Sequence, residues 1–203
     1  MSVLSKLGLK GYSLLYLLIV AIITAYAKVF ISRNIRVLKG LPYIRFSRGI
    51  SWHKAKGFTA GKGLRFELEN SGAKLELGRN LKVNDFVHVG VWDKVSIGEN
   101  CLFGSRVTII DHDHGVYNGK GTHSNPGSSP DSRELSGRGI CIGDNVWLGD
   151  GVVVLPGAEI GHGVIIGANS VVKGVIPNNS IVAGCPAKVL KMFNPESDCW
   201  EKL

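Results

Sequence analysis

The chain has 203 residues, among them 27 glycines, and its 24 basic and 16 acidic side chains give a formal net charge of +8. This length suits one domain with an appendage. Glycine occurs at about twice its ordinary frequency but without a three-residue period, which excludes collagen and predicts many tight turns between short strands.

The basic residues are concentrated in the first third of the chain. Residues 1–62 contain eleven lysines and arginines and no acidic residue, and the first acidic residue is Glu67. This asymmetry predicts a surface that faces an anionic lipid or an anionic glycan. The basic residues surround an apolar segment and no nucleic-acid-binding motif is present, so nucleic acid is not expected as a partner.

Residues 1–40 are predicted to form an apolar and basic helix, which residues 41–74 connect to the next segment. Residues 11–27 carry no charge, and as a helix they would be about 25 Å long, at the short end of what crosses a bilayer. Three interpretations are open for this segment: a signal peptide cleaved after Ala27, a membrane anchor or membrane-surface helix, and a helix packed on the domain or on a neighbouring subunit.

Residues 75–186 carry a six-residue repeat in which an aliphatic or aromatic residue precedes a small one. The repeat positions are Leu77, Val83 and Val89, then Ile97, Phe103 and Ile109, then Ile142, Leu148, Val154, Ile160, Ile166 and Val172. A period of six fits neither an α-helix nor an isolated strand, but it fits one short strand plus one corner. Three such units close a triangular coil, so the pattern predicts an all-β fold, a parallel β-helix whose stacked coils bury one continuous core.

A long segment, residues 111–139, interrupts the repeat, and residues 187–203 follow it as a C-terminal tail. Interruptions of this length are typical of a functional loop or a disordered one. The segment begins with Asp111, His112, Asp113 and His114, a cluster of titratable groups. The four cysteines of the chain have no paired spacing, which favours free thiols over disulfides.

Four motifs resemble the hexapeptide-repeat acyltransferases. They are IGDNVWLG at 142–149, LPGA at 155–158, GANSVV at 167–172 and AGCPAKV at 183–189. They are similar to the galactoside, maltose and nodulation acetyltransferases, and closest to the O-antigen and capsule O-acetyltransferases. The similarity covers about residues 74–192, whereas residues 1–70 match only loosely.

The resemblance implies a left-handed β-helix that assembles as a homotrimer with active sites between neighbouring prisms. It also implies an O-acetyltransferase that moves an acetyl group from acetyl-CoA to a hydroxyl of a sugar in a cell-surface polysaccharide (O-antigen, capsule or a related glycan) or its precursor. Because acetyl-CoA is cytosolic, we expect the protein in the cytoplasm, at the inner face of the cell membrane. The alternative function is a non-catalytic β-helical scaffold in a membrane-associated complex.

The expected catalytic residues are His114, Asn84 and Asp111. Counted from Val107, His114 stands where the sugar acetyltransferases have their catalytic histidine, and a neutral imidazole suits a general base at cytosolic pH. Asp111, Asp113 or a backbone carbonyl would hold its other ring nitrogen. Asn84 matches the asparagine that contacts the acceptor hydroxyl, although a corner asparagine in left-handed backbone geometry is the competing interpretation.

The acceptor is expected to contact His88, Trp92 and His112, of which His112 is also the alternative base. His88, His112, His114 and His123 also fit a metal site of the kind found in β-helical carbonic anhydrases. Because that family would not carry the CoA-type C-terminal motif, no metal is expected.

Seven residues are expected to bind acetyl-CoA. Glycine and alanine let the pantetheine arm approach the backbone, tryptophan stacks near the thioester, and lysines face the phosphates. These residues are Trp147, Gly149, Gly167, Ala168, Lys173, Lys188 and Lys191.

Overall fold

The computed structural model describes residues 3–117 and 122–203. The first part runs α1 (Val3–Phe30), β1 (Ile35–Leu38), β2 (Tyr43–Arg45), a 3-10 turn (Ser47–Gly49), β3 (Ile50–Ser51), β4 (Phe58–Ala60), β5 (Arg65–Leu68), β6 (Lys74–Leu77), β7 (Lys82–Val83), β8 (His88–Val91), β9 (Lys94–Ile97), β10 (Leu102–Phe103) and β11 (Thr108–Ile110).

The second part runs β12 (His112–His114), a 3-10 turn (Pro130–Ser132), β13 (Leu135–Gly137), β14 (Ile140–Ile142), β15 (Trp147–Leu148), β16 (Val153–Val154), β17 (Glu159–Ile160), β18 (Ile165–Ile166), β19 (Val171–Val172), β20 (Val175–Ile176), β21 (Ser180–Gly184), β22 (Ala187–Asn194) and β23 (Cys199–Lys202).

Successive strands are distributed in turn over three parallel sheets, which form the sides of a triangular prism. Sheet A has the order β1-β4-β7-β10-β15-β18-β21, sheet B the order β2-β5-β8-β11-β16-β19, and sheet C the order β3-β6-β9-β14-β17-β20. Each coil therefore contributes one strand to each sheet. This is the predicted left-handed parallel β-helix, with one helix before it.

The six-residue repeat forms the core, as predicted. All twelve repeat positions are buried, with no more than 4% of any side chain exposed. In the second block equivalent residues pair 18 positions apart, as Leu148 does with Ile166. The loop raises that spacing to 45 between Phe103 and Leu148 without changing their register, so the chain leaves the prism and re-enters it at the same place.

The coils begin about forty residues earlier than the expected start at residue 75. Strands β1 to β5 already belong to the three sheets, and Phe58 and Phe66 are fully buried in the core. Coils in this region take 22 to 25 residues, as the pairing of Ile44 with Phe66 and of Ile50 with Leu75 shows. These longer corners hide the six-residue period, which is why the sequence predicts only a lead-in here.

Asparagine occupies corners where the backbone is left-handed. Asn80, Asn100, Asn145, Asn169 and Asn179 all have positive φ, between 52° and 57°. Asparagine tolerates this region better than most side chains. Glycine is required at position 78 for a different reason, close packing between coils, because a Cβ there would lie 2.3 Å from the carbonyl carbon of Gly98 in the next coil.

The two ends of the prism are covered differently. At the C-terminal end the expected tail forms β22 and β23, which continue sheet A as antiparallel strands. At the other end α1 packs on β1 through Ala27, which is fully buried, and Thr24, whose hydroxyl accepts a hydrogen bond from the backbone N–H of Leu38 at 3.1 Å. Among the residues described, none of the helices has the length and apolar character needed to cross a bilayer.

Candidate active site

A groove of about 510 Å³ runs along the edge where sheet A turns into sheet B. Five of the residues expected at the active site line it together, namely Asn84, Trp147, Gly149, Gly167 and Ala168. Asn84 follows β7, and the others lie on β15 or at the corners after β15 and β18, so they stack coil upon coil. Half of the Trp147 side chain is exposed, and the ring forms part of the apolar lining of the groove.

Asn84 is exposed at the mouth of this groove and does not have positive φ. In its corner the left-handed residue is Phe86, with φ of 59°. The backbone therefore does not require asparagine at position 84. The competing interpretation of a corner asparagine is wrong, and a role in binding remains the prediction.

Sequence reasoning missed other residues of the groove. Leu102 and Ile165 pair in register with Trp147 on either side of it and present the same outward face. Asp150 also lines the groove, and its carboxylate accepts a hydrogen bond of 2.6 Å from the backbone N–H of Ser105. Extending the column of Trp147 by one coil in each direction would have identified Leu102 and Ile165.

The two glycines of the groove are required by packing between coils. A Cβ on Gly149 would lie 2.7 Å from the backbone nitrogen of Ala168, and a Cβ on Gly167 would lie 2.9 Å from the Cβ of Ala183. Both distances are too short for any side chain. Glycine at these positions is thus explained by the stacking of coils, whether or not a ligand also approaches.

Two of the three expected lysines lie beside the groove. Lys188 pairs with Ala183 and Lys191 with Ile181, so both lie on β22, two strands beyond β18 and the groove on sheet A. The ammonium of a lysine on β22 can therefore reach an anion at the C-terminal end of the groove. Lys173 is exposed in the corner after β19, at the end of sheet B, and is not part of this arrangement.

Asp111 contacts His112, which corrects the expectation that it orients His114. Asp111 is fully buried, and its carboxylate accepts hydrogen bonds from the backbone N–H groups of Trp92 at 2.6 Å and Asp93 at 2.9 Å. Nδ1 of His112 lies 3.1 Å from the same carboxylate. His112 and His114 lie on the same face of β12, with ring centres 6.4 Å apart, but His112 is adjacent to the buried carboxylate in sequence, while His114 is one residue pair further along the strand and exposed.

His114 lies on an antiparallel hairpin, β12 with β13, which forms a two-stranded sheet separate from the three sheets of the prism. Its backbone carbonyl accepts a hydrogen bond from the hydroxyl of Tyr117, which in turn accepts one of 2.8 Å from Arg133. Arg133 also donates to the carbonyl of Ser128 at 2.8 Å. Tyr117 and Arg133 thus fix the backbone at His114, and neither was predicted, because these contacts depend on how the loop folds back.

His88 and Trp92 have different surroundings. Nε2 of His88 lies 2.7 Å from Oε2 of Glu67, whereas the ring of Trp92 packs on the hairpin, so that a Cβ on Gly137 would lie 2.5 Å from it. Burial raises the pKa of Glu67. The hydrogen bond from Arg65 and the positive charges of Arg65 and His88 outweigh the effect of burial, so the pKa of Glu67 is lowered overall. Trp92 therefore supports the loop, while His88 stays a candidate for binding.

The groove and the histidines lie at opposite edges of sheet B within one chain. Asn84 precedes a strand of sheet B, whereas His112 and His114 follow one. A four-residue strand such as β8 is about 13 Å long, so no single side chain closes this gap. One chain by itself does not bring Asn84 and His114 together.

Other features of the molecule do not point to catalysis. A larger groove, about 1030 Å³, lies along sheet C, and none of the predicted site residues lines it. Among the residues described, no group of three or more His, Cys, Asp or Glu side chains is arranged to hold a metal ion. All four cysteines are free, and burial raises the pKa of Cys101 to about 11, which makes it a poor nucleophile.

Comparison with known proteins identifies relatives of the chain. Residues 142–174 match the model of the bacterial transferase hexapeptide (six repeats), and residues 94–117 match the hexapeptide repeat of succinyl-transferase. A relative named as the lipopolysaccharide biosynthesis O-acetyl transferase WbbJ of Escherichia coli is 43% identical over 84% of this chain and 85% of its own. The galactoside O-acetyltransferase of Escherichia coli is 34% identical over 61% of this chain and 56% of its own.

A solved structure supports the fold. It is that of a variant of AntD, an N-acyltransferase from Bacillus cereus in complex with dTDP-4-amino-4,6-dideoxyglucose and coenzyme A. Its TM-score is 0.65 at 16% identity, over 81% of this chain and 84% of that one. The match to WbbJ covers most of both chains, and the stacked coils and the groove are consistent with it. The chain therefore belongs to the hexapeptide-repeat acyltransferase family.

Proposed function

We propose that the protein transfers an acetyl group from acetyl-CoA to a sugar hydroxyl of a cell-surface polysaccharide or its precursor. As a member of its family it is a CoA-dependent acyltransferase, and the relative named for lipopolysaccharide biosynthesis favours a surface glycan as the acceptor. The observation that carries the proposal is the groove, where five residues expected to serve this reaction line one surface.

The donor is expected to lie along the groove on sheet A. Leu102, Trp147 and Ile165 offer an apolar wall to the pantetheine arm and the thioester. Lys188 and Lys191, two strands further on, suit the phosphates at the other end of the molecule. This direction places the acetyl group near Asn84, whose side-chain amide can hydrogen-bond to the acceptor hydroxyl.

His114 is the proposed general base. Its imidazole takes the proton from the sugar hydroxyl as the hydroxyl oxygen attacks the thioester carbonyl. When the tetrahedral intermediate collapses, the carbon–sulfur bond breaks, and the protonated imidazole returns the proton to the departing thiolate. His112 is a poorer candidate, because its side chain is only 11% exposed.

A homotrimer would complete this site. His114 is exposed on the β12–β13 hairpin, at the edge of sheet B opposite to the groove. In a cyclic trimer the same two edges of neighbouring prisms face each other, so the hairpin of one subunit would approach the groove of the next. Each active site would then contain Asn84 from one subunit and His114 from another.

The N-terminal helix is proposed to lie on an anionic membrane surface. Large apolar side chains of α1 are exposed, among them Leu15, Leu18 and Ile22 at 54 to 60%. The helix and the coils after it contribute eleven basic residues and no acidic one within residues 1–62. Apolar burial and attraction to anionic headgroups together support surface binding at the inner face of the cell membrane.

The test is the acetyl content of surface glycans from a strain that lacks the gene. Mass spectrometry of its polysaccharide should show the loss of one acetyl mass per modified repeat, and restoring the gene should return it. Purified protein should then transfer labelled acetyl from acetyl-CoA to the polysaccharide of that strain. An unchanged glycan together with no transfer in vitro would refute the proposal.

A further inference from the structure

A cavity of about 420 Å³ opens on the outer face of sheet A, between the groove proposed for the donor and the N-terminal end of the prism. Leu102 lines both this cavity and the donor groove, so the two adjoin. The described residues that line the cavity are Arg36, Asn80, Lys82, Asn100, Cys101 and Leu102, and none of these is acidic. We call it the basic cavity.

The two cations of the basic cavity are available to a ligand. Arg36 and Lys82 are both exposed, and within the part of the chain that the structure describes no carboxylate pairs with either and no hydrogen bond holds their side chains. Arg79, three residues before Lys82, is different, because Glu99 accepts hydrogen bonds from its Nε at 2.9 Å and from its Nη2 at 2.7 Å. An unpaired cation keeps its N–H donors for an anion, which makes the basic cavity a candidate anion site.

The separation of the two cations suits an anion that bridges them. Arg36 lies on β1 and Lys82 on β7, with only β4 between them, so their strands are about 10 Å apart. Both side chains are long enough to approach a diphosphate placed between them. Asn100 adds a donor, because its Oδ1 accepts a hydrogen bond of 2.9 Å from Nδ2 of Asn80, while no other described residue engages its own Nδ2.

The position of the basic cavity indicates that its ligand belongs to the acceptor. The phosphates of the donor are proposed to lie at Lys188 and Lys191, at the opposite end of sheet A, with the apolar wall of the groove in between. Asn84, proposed to bind the acceptor hydroxyl, comes two residues after Lys82, about 7 Å along the chain. An anion bound at Lys82 therefore lies close to the sugar that reacts.

We propose that the basic cavity binds the diphosphate of an acceptor whose glycan is still linked through that diphosphate to its carrier. The inference rests on the proposed function, and it narrows the acceptor from a finished polysaccharide to its activated precursor. Arg36 and Lys82 neutralise the diphosphate, and the glycan attached to it extends to Asn84.

The carrier of such a glycan is a lipid or a nucleotide, and both present the same diphosphate. A lipid suits the structure better, because α1 packs on β1, the strand that carries Arg36. With α1 on the membrane surface, as proposed above, the lipid chain stays in the bilayer while the diphosphate reaches the basic cavity.

Steady-state kinetics with three acceptors tests this proposal. They are the lipid-linked glycan extracted from membranes of the deletion strain, the same glycan released from its diphosphate by mild acid, and a nucleotide diphosphate sugar of that glycan. The wild type should have a lower KM for the lipid-linked glycan than for the released one. Arg36→Gln combined with Lys82→Gln should raise KM for the lipid-linked glycan about tenfold, and leave KM for the released glycan and for acetyl-CoA unchanged.

Lys54→Gln combined with Lys74→Gln is the matched control, since it removes two exposed positive charges on the side of sheet C. An equal rise in KM for the lipid-linked glycan in this control would attribute the effect to general surface charge and overturn the proposal.

The remaining outcomes separate the proposal from its rivals. It is overturned if the wild type has the same KM for the lipid-linked and the released glycan, or if the Arg36 and Lys82 variant leaves KM for the lipid-linked glycan unchanged. A raised KM for acetyl-CoA would assign the cations to the donor, and an equally raised KM for the released glycan would assign them to the glycan itself; both results contradict the proposal. A lower KM for the nucleotide diphosphate sugar than for the lipid-linked glycan would support the site and identify a nucleotide carrier. No transfer to any of the three acceptors would overturn the proposed function itself.

Discussion

The carboxylate of Asp111, fully buried beneath the loop, lies 3.1 Å from Nδ1 of His112. An exposed histidine two residues further on, His114, has no such partner in its own strand, so the two imidazoles of the motif occupy different environments. Asp111 and His112 join the loop to the coil, while His114 is presented to the outside.

Replacing His114 with alanine should lower kcat by about 100-fold or more, because the general base is lost. Affinity for acetyl-CoA, measured by calorimetric titration, should change little, since the proposed role of His114 is to take a proton from the acceptor and not to bind the donor. His112→Ala should lose less activity. The reverse order, with His112→Ala inactive and His114→Ala near normal, would assign the base to His112.

Asp111→Asn should destabilise the protein by about 1 to 3 kcal/mol, because an amide cannot accept from Trp92, Asp93 and His112 as the carboxylate does. Chemical denaturation measures this change. Asp113→Asn is the control, since its carboxylate is nearly half exposed and lies 3.5 Å from Arg138. An equal free energy of unfolding for the two variants would show that the buried contacts of Asp111 stabilise the protein no more than the exposed contact of Asp113.

Replacing Lys188 and Lys191 together with alanine should raise KM for acetyl-CoA about tenfold, as expected for two exposed phosphate contacts of about 1 kcal/mol or less each. The penalty should shrink at high salt, which screens exposed charges. Lys173→Ala is the control, because Lys173 lies at the end of sheet B. A loss that is independent of salt and accompanied by a lower melting temperature would indicate a structural role.

Replacing Leu15, Leu18 and Ile22 with glutamine should weaken binding to vesicles that contain anionic phospholipid. These side chains are exposed, so the fold should remain intact. Co-sedimentation with anionic and with neutral vesicles measures the effect. Wild-type protein that stays in solution with both kinds of vesicle would remove the membrane-surface proposal.

The repeat from Leu77 to Val172 predicts the prism and its core because every hexapeptide buries one aliphatic side chain. Groove residues such as Trp147 and Gly167 are predictable because they lie in motifs within that repeat. The earlier coils are not, since corners of variable length remove the period around Phe58 and Phe66. Contacts such as Asp111 with His112 and Glu67 with His88 depend on register between coils, which spacing along the chain does not reveal.

The most direct test of a site shared between subunits is complementation in mixed trimers. His114→Ala removes the base, and Ala168→Trp, at an exposed position in the groove, blocks the donor. Each variant should be inactive alone. After both are unfolded and refolded together in equal amounts, about three quarters of the trimers should be mixed, and each of these has one junction with both halves intact. If the site is shared between subunits, the mixture should recover about a quarter of wild-type activity. No recovery, with mixed trimers confirmed by native mass spectrometry, would contradict a shared site.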